Sequence, residues 1–127
     1  MSATTYIHLV NWLTRINQTD LPGKDIIAFN FGLFGNAKGC YTAYLIGSRT
    51  FDPTDDDWAC SDDWAPAEKY LNLWEHHTET KDWQAVVLEM INLLRHYTRS
   101  PECSGSFLAN ATAITVGFDD GDLERVK

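Results

Sequence analysis

The stretch DIIAFNFGLF-GNAKG-CYTAYLIG, residues 25–47, decides the fold. Large apolar side chains recur at every second position of its first part, at Ile27, Phe29, Phe31 and Leu33. This period of two predicts a strand over 25–34 with one continuous apolar face. A second strand is predicted over 40–47. Because the intervening turn of 35–39 is too short for a parallel crossover, the two strands should form an antiparallel hairpin.

Two amphipathic helices are predicted on either side of this hairpin. Apolar residues recur at helical spacing over 4–17 and again, as a wider stripe, over 82–98. A short helix is also predicted over 67–77, where Tyr70, Leu71 and Trp74 share helical spacing. The two long helices each have an apolar side that must be buried against the sheet.

A second hairpin is predicted at the end of the chain. Residues 111–118 alternate like a strand and run into Asp120-Gly121, a dipeptide typical of two-residue hairpin turns. A weaker strand is expected over 122–126. The order helix, hairpin, acidic loop, helix, hairpin predicts a single α+β domain over 1–127. We expect a four-stranded, mainly antiparallel sheet with two main helices on one face.

The acidic loop that separates the two halves is DPTDDDWACSDDW, residues 52–64, and ends near Pro66. It holds six aspartates and two tryptophans but no lysine or arginine, so it supplies −6 of the formal net charge of −8. Charge concentrated in this way produces a directed field. The field favours a basic protein as partner and disfavours nucleic acid and anionic membrane.

The predicted binding surface joins this loop to a second acidic knot near the C-terminus. Most of these carboxylates must face water or a partner because an unpaired buried charge is very costly, and tryptophan often anchors an interface. The alternative is a solvated loop whose tryptophans pack onto the sheet. The candidate residues are Asp52, Asp55, Asp56, Asp57, Trp58, Asp62, Asp63, Trp64, Asp119, Asp120 and Asp122.

No catalytic residue, metal ligand or cofactor is predicted. The motifs of serine hydrolases, phosphate-binding loops and dinucleotide-binding folds are absent from the sequence. Neither aspartate cluster has the spacing of a calcium loop, and the adjacent His76 and His77 would point about 100° apart on a helix. A small acidic enzyme or metal-binding domain that uses the Asp52–Asp63 loop is the first alternative. A structural or homo-oligomeric scaffold is the second.

The chain is expected to be cytoplasmic. Its first residues lack the basic and apolar regions of a secretory signal, and no apolar run approaches the about 18 residues of a membrane span. The cysteines Cys40, Cys60 and Cys103 are odd in number and form no CxxC pair. They are therefore interpreted as free thiols in a reducing compartment.

The chain resembles the immunity proteins of bacterial polymorphic toxin systems. The resemblance lies in Asp55-Asp-Asp-Trp-Ala-Cys60 and Val116-Gly-Phe-Asp-Asp-Gly-Asp-Leu123, together with the size and element order. It implies a tight complex with a cognate toxin, often a basic nuclease, and inhibition by blocking the toxin's active site. A loop rich in carboxylates could mimic nucleic-acid phosphates and associate rapidly with a basic cleft.

Overall fold

The computed structural model describes residues 3–35, 41–60, 62–72, 83–118 and 121–127. The described part is α+β, and two turns of 3-10 helix join its regular elements. The elements are α1 (Ala3–Thr19), β1 (Ala28–Gly35), β2 (Tyr41–Ser48), a 3-10 segment (Asp56–Cys60), β3 (Tyr70–Leu71), α2 (Trp83–Thr98), α3 (Pro101–Ser104), a second 3-10 segment (Phe107–Asn110), β4 (Ala113–Phe118) and β5 (Glu124–Arg125).

The strands form one mixed sheet of five strands in the order β3-β2-β1-β4-β5. The predicted hairpin is confirmed, since β1 and β2 are antiparallel with Ala28 opposite Ser48. The return strand near the C-terminus is also present, because β5 pairs antiparallel with β4 over two residues. In the centre, β1 and β4 run parallel, with Ala28 opposite Ala113.

Two features of the sheet differ from the sequence-based expectation. The count of four strands is wrong because Tyr70 and Leu71 form an edge strand against β2. This strand replaces the first part of the short helix predicted over 67–77, and the rest of that range, 73–77, lies outside the described residues. Two residues are too few to show a period of two. The parallel contact between β1 and β4 was not expected. It joins strands from different hairpins, and the long connection between them can make the crossover that parallel strands need.

Both predicted long helices are confirmed within one or two residues at each end. They pack in one core with the apolar side of the sheet, so the two helices share a face. The fully buried side chains include Leu9, Trp12 and Leu13 from α1, Val86, Met90 and Leu94 from α2, and Phe31, Leu33, Leu45, Ile114 and Val116 from the strands.

The segment that leads into β3 is fixed to α1 by polar contacts. The Trp12 indole donates to the carbonyl of Glu68 (2.7 Å), and the Arg15 guanidinium makes a forked contact with the Glu68 carboxylate (3.0 and 2.6 Å). This hydrogen bond lowers the pKa of Glu68. These contacts hold the chain against α1 just after the acidic loop. Among the described residues, no helix is both long and apolar enough to cross a membrane.

Candidate protein-binding surface

The face of the sheet that points away from the helices carries many small and polar residues, with Phe34 and Ile46 among them, and the acidic loop covers part of it. The register places together on this face Ala28, Asn30, Gly32, Tyr44, Ala113, Thr115 and Gly117. The 3-10 segment Asp56–Cys60 lies against it through Trp58, which packs on Ala28 and Ala113. Only 6% of the surface of Trp58 is exposed, and its ring centroid lies 5.2 Å from that of Phe51. Trp58 therefore anchors the loop to the sheet.

Trp64 anchors the other end of the loop. Its ring makes edge contacts with Phe29 and Phe107, at centroid distances of 5.8 and 5.6 Å. Its backbone exchanges two hydrogen bonds with Gly47, of 2.8 and 3.1 Å. A side chain at Gly47 would lie 2.5 Å from a methyl group of Ile26 and 3.0 Å from the Trp64 ring. The half-buried Trp64 therefore belongs largely to the fold.

Both tryptophans were predicted as contact residues, and the structure assigns them an internal position. The buried ring of Trp58 is not available to a partner on this surface. Each ring instead fills a gap between loop and sheet, which was the alternative interpretation of the sequence. The aspartates between and around the two anchors are thereby held in place.

Asp62 and Asp63 bind to the fold itself. The Arg49 N–H and the Ser48 hydroxyl donate to Asp63 Oδ2, at 2.8 and 3.4 Å. Asp62 lies 3.6 Å from the ammonium of Lys69. These two carboxylates therefore close the loop against β2 and the segment before β3.

The remaining aspartates of the loop are exposed, and three of them accept backbone N–H groups, two within the loop and one from Leu123. The backbone N–H of Thr54, and then its hydroxyl, donate to Asp52 and lower the pKa of that carboxyl. Asp55 accepts the N–H of Asp57 (2.9 Å), and Asp56 accepts the N–H of Leu123 (3.2 Å). Within the part of the chain that is described, none of these four carboxylates forms an ion pair.

The bond from Leu123 to Asp56 brings the two acidic segments of the sequence together. The exposed Asp122 precedes Leu123, and its carbonyl lies over Gly117, where a side chain would approach it to 2.7 Å. Asp119 and Asp120, with the predicted hairpin turn, lie outside the described residues. We use the name acidic surface for Asp52, Asp55, Asp56, Asp57 and Asp122.

A cavity of about 210 Å³ opens between the acidic surface and the sheet. Its walls include Asn30, Tyr44, Asp56, Asp57, Ala59 and Gly117. The Tyr44 ring lies directly over Gly32, where a side chain would fall 2.0 Å from the ring. Sequence reasoning missed Tyr44 and Asn30. Their signal was the polar alternation of β1 and β2, which marks a face that is not part of the main core.

The described residues contain no group of three His, Cys, Asp or Glu side chains that could hold a metal ion. Cys60 is an exposed free thiol beside the cavity, and Cys103 is a buried free thiol. Cys40, His76 and His77 lie outside the described residues. Over the described region, the carboxylates supply charge and hydrogen-bond acceptors.

No family model matches this sequence, and comparisons with curated proteins and with solved structures likewise find no match. Function is therefore inferred from the geometry of this chain alone.

Proposed function

We propose that this chain is a non-catalytic protein-binding domain, an immunity or inhibitor protein that neutralises a basic toxin through its acidic surface. The observation that carries the proposal is the separation of roles within one loop. Trp58, Trp64, Asp62 and Asp63 attach the loop to the sheet. The carboxylates of the acidic surface stay exposed, and those of the loop have no ion pair with a described residue.

A loop that is fixed to the sheet and carries exposed carboxylates is suited to rapid association with a basic partner. The internal hydrogen bonds of Asp52, Asp55 and Asp56 fix the backbone, so little ordering entropy is lost when a partner binds. Clustered like charges raise the encounter rate with a basic surface, and salt screens the effect beyond about 8 Å at physiological ionic strength. The contact is thus expected to depend mainly on charge, with little contribution from the tryptophans.

One competing function has its own support. The burial of Trp58 and the internal bonds of Asp62 and Asp63 favour a loop that only closes the open face of the sheet, as in a structural or homo-oligomeric scaffold. A scaffold of this kind does not need the unpaired charge of Asp55, Asp56 and Asp57. The two functions therefore differ in what neutralising these three residues should do.

The test first screens basic toxin domains for a stable complex with this chain and then measures association with the bound domain by stopped flow. The variant Asp55→Asn/Asp56→Asn/Asp57→Asn keeps one acceptor oxygen in each side chain and removes three charges. We expect its association rate to fall by about tenfold or more at low salt, because rim charges act mainly on the on-rate. The difference should shrink as salt rises.

The matched control is Glu102→Gln against the single variant Asp57→Asn. Glu102 is exposed on α3, whose Cys103 packs in the core on the helix side of the sheet. Each variant loses one charge, so only the position differs. An association rate that falls equally in both, or in neither, would contradict the proposal and favour the scaffold.

A further inference from the structure

A second cavity lies at the end of the sheet where β1 begins, between the segment 21–27 and the second 3-10 segment. Its volume is about 420 Å³, which falls within the roughly 300–1,000 Å³ of pockets that enclose small-molecule ligands. Its walls include Leu21, Lys24, Ile26, Phe29, Phe107 and Asn110. None of these residues belongs to the acidic surface, so the cavity is a separate candidate site.

The floor of this cavity is aromatic. Phe29 is 1% exposed, and its ring centroid lies 5.3 Å from that of Phe107 in an edge contact. Phe107 is half-buried and makes a second edge contact with Trp64, at 5.6 Å. Aromatic pairs of this kind are favourable beyond the apolar area that they bury. The cavity therefore favours a ligand that carries a ring.

Hydrogen bonds within the chain hold both walls in place. On one side, the Phe107 N–H donates to the side-chain oxygen of Asn17 in α1 (3.0 Å). On the other side, the Ile26 N–H donates to the carbonyl of Gly23 and closes a turn (3.1 Å). Because the walls are already ordered, little conformational entropy is lost when a ligand binds between them.

The charge at this cavity is opposite in sign to that of the whole chain. Lys24 is exposed and is the only charged side chain among the described residues that line the cavity. It forms no ion pair with a described residue, whereas the neighbouring Asp25 carboxylate is already paired with Arg49 (2.6 Å). In a chain of net charge −8, this ammonium beside an apolar floor selects an anion.

Asn110 adds a polar group from the opposite wall. Its carboxamide makes no hydrogen bond to a described residue, and its N–H groups can donate to a carboxylate oxygen. One ammonium and one amide match a single negative charge. A phosphate or nucleotide would bring two or more negative charges to one lysine in a chain that is already acidic, so a monocarboxylate fits the site better.

We propose that this cavity binds a small aromatic carboxylic acid, with its ring against Phe29 and Phe107 and its carboxylate bound by Lys24 and Asn110. The inference goes beyond the proposed function and does not depend on a toxin partner. It gives the chain a second binding site, of opposite charge preference to the acidic surface.

The experiment is an NMR titration of the intact chain with 3-phenylpropionate. We expect shifts of the backbone amide signals of Gly23, Ile26 and Asn110. The matched probe 3-phenylpropanamide has the same ring without the charge and should bind about threefold to fivefold more weakly, the size of an exposed charge contact. Acetate has the charge without the ring and should bind about tenfold more weakly or less, because it buries little apolar area.

Two kinds of variant separate the charge from the ring. Lys24→Gln should weaken 3-phenylpropionate about threefold to fivefold. The control Arg99→Gln loses the same charge just after α2, outside the cavity walls, and should change the affinity by less than about twofold because its field is screened. Phe107→Leu should weaken 3-phenylpropionate about threefold but leave 3-cyclohexylpropionate nearly unchanged, since only an aromatic ligand gains from the ring. Thermal melts establish that each variant is folded.

Equal affinity for 3-phenylpropionate and its amide, or equal effects of Lys24→Gln and Arg99→Gln, would overturn the carboxylate contact. No shift at the solubility limit of the probe, or shifts confined to residues outside the cavity, would overturn the site itself. Tighter binding of a peptide that ends in phenylalanine would assign the cavity to the end of a polypeptide and overturn the small-molecule ligand. Each of these outcomes is independent of the association experiment with the toxin.

Discussion

The two faces of the sheet are formed by the same strands but carry different kinds of side chain. The helix-covered face carries Phe29, Phe31 and Leu33 and is closed by α1 and α2. The other face carries small and polar residues together with Phe34, Tyr44 and Ile46, and among the described residues the acidic loop covers part of it. One face buries large apolar area. The other leaves room for a cavity bordered by charge.

On the proposed function, this difference assigns stability to one face of a small domain and recognition to the other. A buried apolar face contributes most of the folding free energy, so residues there tolerate little change. A face built from small residues contributes less and can be adapted to a partner. Substitutions on the two faces should therefore differ in size and in kind, and the following predictions are ordered by expected effect.

Phe31→Ala should produce the largest loss. Phe31 is fully buried beneath the helices and makes an edge contact with Trp12 at a centroid distance of 6.1 Å. We expect the free energy of unfolding to fall by about 3–5 kcal/mol, as for other buried phenylalanines. Urea unfolding measures it. A loss below about 1 kcal/mol would contradict the assignment of this face as the main core.

Trp58→Ala should lower the free energy of unfolding by about 3 kcal/mol, the lower end for a buried tryptophan, because Trp58 packs in a small cluster with Ala28 and Ala113. The Asp55–Asp57 region should then be cleaved faster in limited proteolysis, while α1 and α2 stay protected. Cleavage at an unchanged rate would show that Trp58 does not anchor the loop. Proteolysis of Phe31→Ala beside Trp58→Ala tests whether Trp58 attaches the loop to the sheet independently of the main core.

Gly32→Ala should cost about 1–3 kcal/mol, since the new methyl group would displace the Tyr44 ring. The matched control is Gly105→Ala. Gly105 has φ −99° and open space around it, so its substitution should change stability little. If thermal melts show equal effects, the close contact between Tyr44 and the floor of the second face would be in doubt.

Glu68→Gln should cost about 0.5 kcal/mol at pH 7, because the pair with Arg15 is half exposed and screened by water. The pKa of Glu68 is lowered in the folded state from its usual value of 4.5. Its contribution is therefore fully present above about pH 4.5 and is lost as the pH falls through the lowered value. Urea unfolding should show a larger difference between the variant and the unsubstituted chain at pH 7 than at pH 3.

The sequence predicts much of the helix-covered face of the sheet but little of the opposite face. The period of two in β1 and the helical stripes of α1 and α2 repeat over many residues, so each gives a strong signal. The pairing of β1 with β4 joins distant segments, and β3 is only two residues long. Neither leaves a local pattern.

The acidic loop shows the same limit at the level of single residues. Its composition predicts an exposed, charged segment, and the structure agrees for the described aspartates. Which carboxylate binds the fold depends on which donor lies near it, such as the Arg49 N–H beside Asp63. Composition alone does not decide whether Trp58 anchors the loop or contacts a partner. The structure decides it, because Trp58 packs on the small residues Ala28 and Ala113.

The central claim is that Asp55, Asp56 and Asp57 carry charge that the fold does not need. The most direct test compares two triple variants, each lacking three charges, by urea unfolding. One is Asp55→Asn/Asp56→Asn/Asp57→Asn. The other, Asp62→Asn/Asp63→Asn/Glu68→Gln, neutralises carboxylates that bind the fold.

The account predicts that the first triple variant unfolds within about 0.5 kcal/mol of the unsubstituted chain, because exposed unpaired charges contribute little. The second should lose about 1–2 kcal/mol, since it weakens two ion pairs and a charge-assisted hydrogen bond. A loss of about 2 kcal/mol or more in the first variant, with little change in the second, would contradict the account. The acidic loop would then be a structural closure of the sheet.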